Sequence, residues 1–142
     1  MDIARLIASR DPVEIVTCPA GATVRQAVQL LSEKRIGALP VLQGGQLAGI
    51  FSERDLVRLI SSYGPEALDR TLDEVMTKSP VTCESNTAVM GALSQMTQKR
   101  IRHLPVVDGG RLVGFVSIGD LVKYRIDRIE AEAAAMRDYI AS

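Results

Sequence analysis

A chain of 142 residues fits one ordinary domain or two very small ones, and a 46% apolar share marks it as globular rather than disordered. Seventeen basic residues balance seventeen acidic ones at a pI of about 6.6, so no overall charge draws the chain to nucleic acid or to an anionic membrane. The apolar runs are too short for a membrane span, Met1-Asp2-Ile3-Ala4-Arg5 lacks the form of a signal peptide, and two cysteines are too few for a disulfide scaffold; a cytoplasmic protein with reduced thiols is expected.

Met1–Ser9 carries Ile3, Leu6 and Ile7 and predicts a small amphipathic helix that docks onto the rest of the chain. Val16-Thr17 is a short strand lead. Val24, Ala27, Val28 and Leu31 then follow the i, i+3, i+4, i+7 spacing of a helix with one apolar stripe. Leu39–Leu42 and Gln46–Phe51 read as strands, joined through Gly44-Gly45, whose freedom to take positive φ suits a tight hairpin. A closing helix begins at Ser52. After Gly64-Pro65, a breaker, Leu72–Met76 predicts a short helix within the linker.

The same series then recurs. At a constant offset of 65 residues, Ile15–Ile60 aligns with Pro80–Arg125 without a gap, and nineteen of the 46 pairs are identical. Lys34-Arg35-Ile36 falls on Lys99-Arg100-Ile101, Leu39-Pro40-Val41 on Leu104-Pro105-Val106, and Gly44-Gly45 on Gly109-Gly110. This is duplication. A unit of such size buries little core alone, whereas two related by a pseudo-two-fold axis can share one. Beyond the second unit, Val122, Ile126, Ile129, Ala133, Met136 and Ile140 form a heptad-like seam, read as a homodimer contact; packing against the chain's own domain is the other reading.

Both copies carry Gly-x-x-Ser-x-x-Asp at a strand end: Gly49, Ser52, Asp55 and Gly114, Ser117, Asp120. Two readings stand. Ser-x-x-Asp is a capping pattern, with the acidic residue at the third helical position. Equally, a carboxylate at a helix start can accept two hydrogen bonds from the vicinal hydroxyls of a ribose, with Gly49 and Gly114 permitting close approach of the backbone to the ligand.

Lys-Arg-Ile-x-x-Leu-Pro-Val, Gly-Gly and Gly-x-x-Ser-x-x-Asp, at one spacing in both halves, resemble cystathionine-β-synthase (CBS) domains, paired as in a Bateman module. The resemblance covers about residues 13–125. It implies an α/β (α+β) fold of two βαββα repeats about a pseudo-two-fold axis: repeats at 13–62 and 78–126, a linker at 63–77, and helices at 1–12 and 127–142. It further implies a regulatory sensor of adenosine-containing ligands, AMP first, then ATP or ADP, NAD(H) and S-adenosylmethionine. No cofactor is required, and the partners are the ligand, a second copy of the chain and an effector protein. On this resemblance Ser52/Asp55 and Ser117/Asp120 hold ribose in two clefts. The strand leads Val16-Thr17-Cys18 and Val81-Thr82-Cys83 line the adenine or phosphate side, and Pro40 and Pro105 belong to the ligand-binding set.

The copies differ after the shared isoleucine, with Gly37-Ala38 in one and Arg102-His103 in the other. The resemblance assigns basic residues here to a nucleotide phosphate, commonly across the pseudo-axis. Arg102 and His103 would then serve the cleft of Asp55, and Gly37-Ala38 that of Asp120. Solvated and partly buried strand-end residues are the plainer reading of the basic pair. Arg54 is a further phosphate candidate, opposite Gly119, so the clefts are expected to be unequal.

Cys18 and Cys83 read as core residues in the alternative. Lys34-Arg35 and Lys99-Arg100 read as solvated helix C-termini. One histidine and two dispersed cysteines offer no metal cluster, no Gly-x-x-x-x-Gly-Lys loop occurs, and no nucleophile–base pair stands out, so neither a metal nor catalysis is expected. A structural interaction module whose Ser-x-x-Asp pairs only cap helices is the rival function.

Overall fold

A computed structural model describes residues 1–9 and 14–141. The expected start of the first repeat at residue 13, residues 10–12 of the N-terminal segment, and residue 142 lie outside the described residues. In chain order the elements are α1 (Ile3–Ser9), β1 (Cys18–Pro19), α2 (Val24–Lys34), β2 (Ala38–Gln43), β3 (Gln46–Ser52), α3 (Glu53–Tyr63), a 3-10 turn (Gly64–Asp69), α4 (Leu72–Val75), β4 (Thr77–Lys78), α5 (Val89–Lys99), β5 (His103–Asp108), β6 (Arg111–Ser117) and α6 (Ile118–Ala141).

The two hairpins follow from their glycines. Gly44 and Gly45 take φ of 60° and 78°, and Gly109 and Gly110 take 56° and 79°, the left-handed region that a tight two-residue turn demands. In each hairpin the register slips at the same place, between Val41 and Leu42 and between Val106 and Val107. Cys18 pairs in parallel with Val41, and Cys83 bridges Val106 in the same way. The linker adds β4, antiparallel to β3 through Thr77 and Lys78. Regular strand pairing begins at Cys18, so Val16 and Thr17 precede it.

Instead of one shared core, the buried side chains form two clusters, one beneath each repeat. Each is completed by the helix that precedes the other repeat in the chain. Ile3 and Leu6 of α1 are buried with Val89, Met96, Leu104 and Leu121 of the second repeat. The first turn of α1 is tied there by Ile3 N–H to Thr87 O at 2.9 Å and Ala4 N–H to Ser85 O at 2.9 Å. Correspondingly, Leu72 of α4 is buried with Val24, Leu31, Leu39 and Phe51 of the first repeat. Its amide donates to Ala22 O at 2.8 Å, and that of Asp73 to Ala20 O at 2.9 Å. A seven-residue helix such as α1 is too short to be stable alone, so its order derives from this docking.

Helix α6 is one uninterrupted run of 24 residues, continuing the closing helix of the second repeat through residue 126 to the end of the described chain. Its seam is not covered by the chain: Val122, Ile126, Ile129, Met136 and Ile140 are exposed, as is Val57, the counterpart of Val122 on α3. Packing against the chain's own domain therefore does not account for the heptad pattern.

Candidate functional site

The Ser-x-x-Asp pairs cap helices in both copies. Ser52 Oγ accepts from Asp55 N–H at 3.3 Å, while Asp55 Oδ2 accepts from Ser52 N–H at 2.9 Å and from Ser52 Oγ–H at 3.0 Å. At α6, Ser117 Oγ accepts from Asp120 N–H at 3.0 Å and Asp120 Oδ2 accepts from Ser117 N–H at 2.8 Å. Capping satisfies helix-end donors that otherwise lack partners, and it holds each carboxylate at the mouth of its strand. The capping geometry leaves Asp55 Oδ1 directed elsewhere, and Thr77 Oγ1–H donates to it at 3.4 Å.

Next to this helix start lies a cleft of about 590 Å³, within the range of small-ligand sites. Ser52, Glu53, Arg54, Asp55 and Arg58 line it from the first repeat, together with Gly37, Ala38 and Ile50. The second repeat supplies Arg100, Ile101, Arg102 and His103, and the segment joining the repeats supplies Thr77, Ser79, Pro80 and Val81. The turns that carry the two strand ends are tied to the helices alike. Glu53 N–H donates to Gly37 O at 3.0 Å, and Ile118 N–H donates to Arg102 O at 2.8 Å.

Of the residues singled out from sequence, Ser52, Arg54, Asp55, Val81, Arg102 and His103 meet in this cleft, across the two repeats. Gly37 and Ala38, expected in the cleft of Asp120, line this one as well. Ser117 and Asp120 stand at the equivalent start of α6, outside the lining of this cleft. Cys18 and Cys83 are buried in the two cores, Pro40 and Pro105 are buried in β2 and β5, Thr17 is half-buried and Thr82 is exposed; none of these six lines the cleft.

Gly49 and Gly114 serve packing rather than ligand approach. A Cβ on Gly49 would lie 2.5 Å from Thr77 O and 2.8 Å from Met76 Sδ, and one on Gly114 would lie 2.7 Å from Ile7 Cδ1. The space is already filled by the chain itself.

Five polar or charged lining residues lie outside the set that the sequence singles out for the site: Glu53, Arg58, Thr77, Ser79 and Arg100. Arg58 follows Arg54 by one helical turn, a spacing that puts both on one face and was available in the sequence. From sequence alone Arg100 reads as a solvated helix end. It caps α5 in the left-handed region at φ 54°, ψ 45°, with Ile101 N–H returning to Met96 O at 3.0 Å. That turn swings the chain into β5 and brings Arg100 to the cleft wall. Thr77 and Ser79 carry no local signal, because only the pairing of β4 with β3 brings them there.

Four arginines thus line the cleft against two acidic residues, Glu53 and Asp55, and the balance favours an anionic ligand. Burial lowers the pKa of His103; Asp120 and Glu53 oppose this shift and Arg102 adds to it. The ring stacks on Phe115 with centroids 5.4 Å apart and planes 11° from parallel.

The family model for the CBS domain matches the chain twice, at residues 3–62 and 72–127. The mitochondrial CBS domain-containing protein CBSX3 of Arabidopsis thaliana is 34% identical over 128 residues, covering 87% of this chain, which in turn spans only 62% of that protein. YhcV of Bacillus subtilis, another CBS domain-containing protein, is 31% identical over 121 residues, covering 85% of this chain and 86% of its own length. Among solved structures, a CBS-domain protein of Agrobacterium tumefaciens superposes with a TM-score of 0.83 at 35% identity, covering 88% of this chain and 99% of that one. The CBS domain pair of protein MJ0100, solved with 5-methylthioadenosine and S-adenosyl-L-methionine, shares the fold at a TM-score of 0.78 and 22% identity, over 90% of this chain and 98% of that one. With two matched repeats, a mixed α+β fold common to these structures and a docking helix exchanged between the halves, the chain belongs to the CBS-domain family and forms a CBS domain pair.

Proposed function

We propose that this CBS pair is a regulatory module, not a catalyst, and that it binds an adenine nucleotide in the cleft between its repeats. The observation that carries the reading is the meeting of Asp55 with Arg54, Arg58, Arg100 and Arg102 in one cleft, a carboxylate for ribose hydroxyls beside fixed charge for phosphate. Arg102 and His103 alone suit one phosphate, hence AMP. Arg54, Arg58 and Arg100 bring charge for a longer chain, so ADP and ATP form the second reading. MJ0100 is a CBS pair solved with S-adenosyl-L-methionine. Here a sulfonium cation would meet four arginines, which ranks that ligand below the nucleotides. NAD(H) carries a pyrophosphate and stands between.

Because the cleft is walled by both repeats, a nucleotide bridging them favours the conformation that binds it. That preference is the signal, read by an effector protein or by a second copy of the chain docked on the exposed seam of α6. Among the described residues no helix is long and apolar enough to cross a membrane.

A ligand at a hundred times its Kd adds about 2.7 kcal/mol of stability, which for a chain of this size raises Tm by roughly 5–10 °C. A thermal-shift panel of AMP, ATP, NADH and S-adenosylmethionine at millimolar concentration tests the reading. No movement with any of the four overturns it and leaves a structural interaction module whose Ser-x-x-Asp pairs only cap helices. Calorimetry then separates the clefts: Asp55→Ala removes binding in the cleft described, and Asp120→Ala removes any binding at the start of α6.

A further inference from the structure

His103 stands where the two repeats meet and is the one side chain of the cleft whose residue type ordinarily changes charge near neutrality. It is the one histidine of the chain, and its counterpart in the first repeat is Ala38. In β5 it pairs with Ser117 of β6, whose amide is held by Asp120 in the first turn of α6. On its other side lies the first turn of α3. A Cβ added to Gly37 would lie 3.8 Å from His103 Cε1 and 3.6 Å from Glu53 Oε2, so imidazole and carboxylate close over the same glycine. Arg102 neighbours it on β5, and Arg54, Asp55, Arg58 and Arg100 share the cleft. Stacking on Phe115 fixes the plane of the ring.

We propose that His103 makes this module proton-responsive: the imidazole is set between Glu53 at the start of α3 and Asp120 at the start of α6, and its protonation tightens the hold of the Asp55 cleft on an anionic ligand. The ligand half of this proposal rests on the nucleotide reading of the cleft; the coupling to the two carboxylates does not. In the free protein burial favours the neutral ring, and the adjacent Arg102 reinforces that preference. An anion entering among the arginines offsets their positive charge at His103, and the ring then takes up a proton from solvent. By reciprocity, lower pH strengthens anion binding until the ring of the free protein is itself protonated. Glu53 and Asp120 belong to different repeats, so protonation at His103 stabilises both helix starts against one charge. Ala38, at the equivalent position, leaves the first repeat with no such group.

A single histidine gives one Cε1–H resonance, and its shift against pH by carbon-edited NMR is an unambiguous titration. Glu53→Gln, at an exposed position, and Asp120→Asn, which keeps an oxygen to accept from Ser117, each lower the midpoint relative to the parent chain. Saturating AMP raises it by about one pH unit, and His103→Ala removes the proton uptake that calorimetry in buffers of different ionisation enthalpy records. A midpoint unmoved by both carboxylate substitutions overturns the coupling, and one unmoved by bound AMP overturns the link to the ligand. If AMP and ATP give neither heat nor a shift, the nucleotide reading fails instead, and the two substitutions still decide whether His103 answers to both helix starts.

Discussion

Ile7 holds against Gly114 the place that Met76 holds against Gly49. A Cβ on Gly114 would lie 2.7 Å from Ile7 Cδ1, and one on Gly49 would lie 2.8 Å from Met76 Sδ. Ile7 belongs to α1 and Met76 follows α4, so the two segments that precede the repeats are equivalent, and each is exchanged onto the opposite repeat.

The neighbours of these glycines differ in one respect, and it has a measurable consequence. A Cβ on Gly49 would also lie 2.5 Å from the carbonyl oxygen of Thr77, which is backbone held in β4, whereas one on Gly114 meets the flexible end of Ile7. Gly49→Ala is expected to destabilise by about 2–3 kcal/mol and Gly114→Ala by about 1 kcal/mol, since overpacking costs most where the neighbour cannot yield. Urea unfolding of the two variants checks the order.

Arg35 and Arg100 both cap helices with φ of 54°, where glycine is the usual residue. Either Arg→Gly change relieves the crowding of Cβ and is expected to raise stability by about 0.5–1 kcal/mol after the added freedom of the unfolded chain is counted. Only Arg100 lines the cleft. Arg100→Gly should therefore raise Tm and weaken nucleotide binding at once, and Arg35→Gly should raise Tm with the binding to this cleft intact. Equal affinity in both variants would remove Arg100 from the phosphate contacts.

Burial holds the thiol of Cys83 up to about 11, with the charge of Asp108 adding to the shift. The unfolded thiol ionises lower, from a value of 9.0, so the folded state keeps the proton longer and loses stability as pH rises between the two. The decline in unfolding free energy between pH 9 and 11 should be shallower in Cys83→Ala than in the parent chain. Cys18 is shifted the same way by burial alone, and both thiols should resist alkylation until the protein unfolds.

Tyr139 and Ile140 are 80% and 75% exposed near the end of α6, in line with Met136 at 61%. We propose that this exposed apolar seam docks a second copy of the chain. The expected state in solution is a dimer of about twice 15.4 kDa. Ile126→Asp combined with Ile129→Asp should give a monomer of unchanged helicity by light scattering and circular dichroism. A parent chain that is already monomeric at micromolar concentration defeats the dimer.

What the sequence determined by itself was local or repeated. Glycine pairs marked the hairpins, Ser52 and Ser117 marked helix starts, and the apolar spacings marked α2 and α5, because turn geometry, capping and helical period act within a few residues. The duplication supplied the pairing of the two halves without any structure. Only the tertiary fold decided which half α1 and α4 complete, since the constant offset breaks before the strand leads: eleven positions separate Ile7 from Cys18, and seven separate Met76 from Cys83. It likewise decided that Gly49 and Gly114 make room for the chain and not for a ligand, and that Thr77 and Arg100 reach the cleft. These depend on contacts between residues far apart in sequence, and on a left-handed cap at an arginine that propensity would have given to glycine. The neutral total of seventeen against seventeen did not show that four arginines converge on one cleft; the packing of the two repeats against each other brought them together.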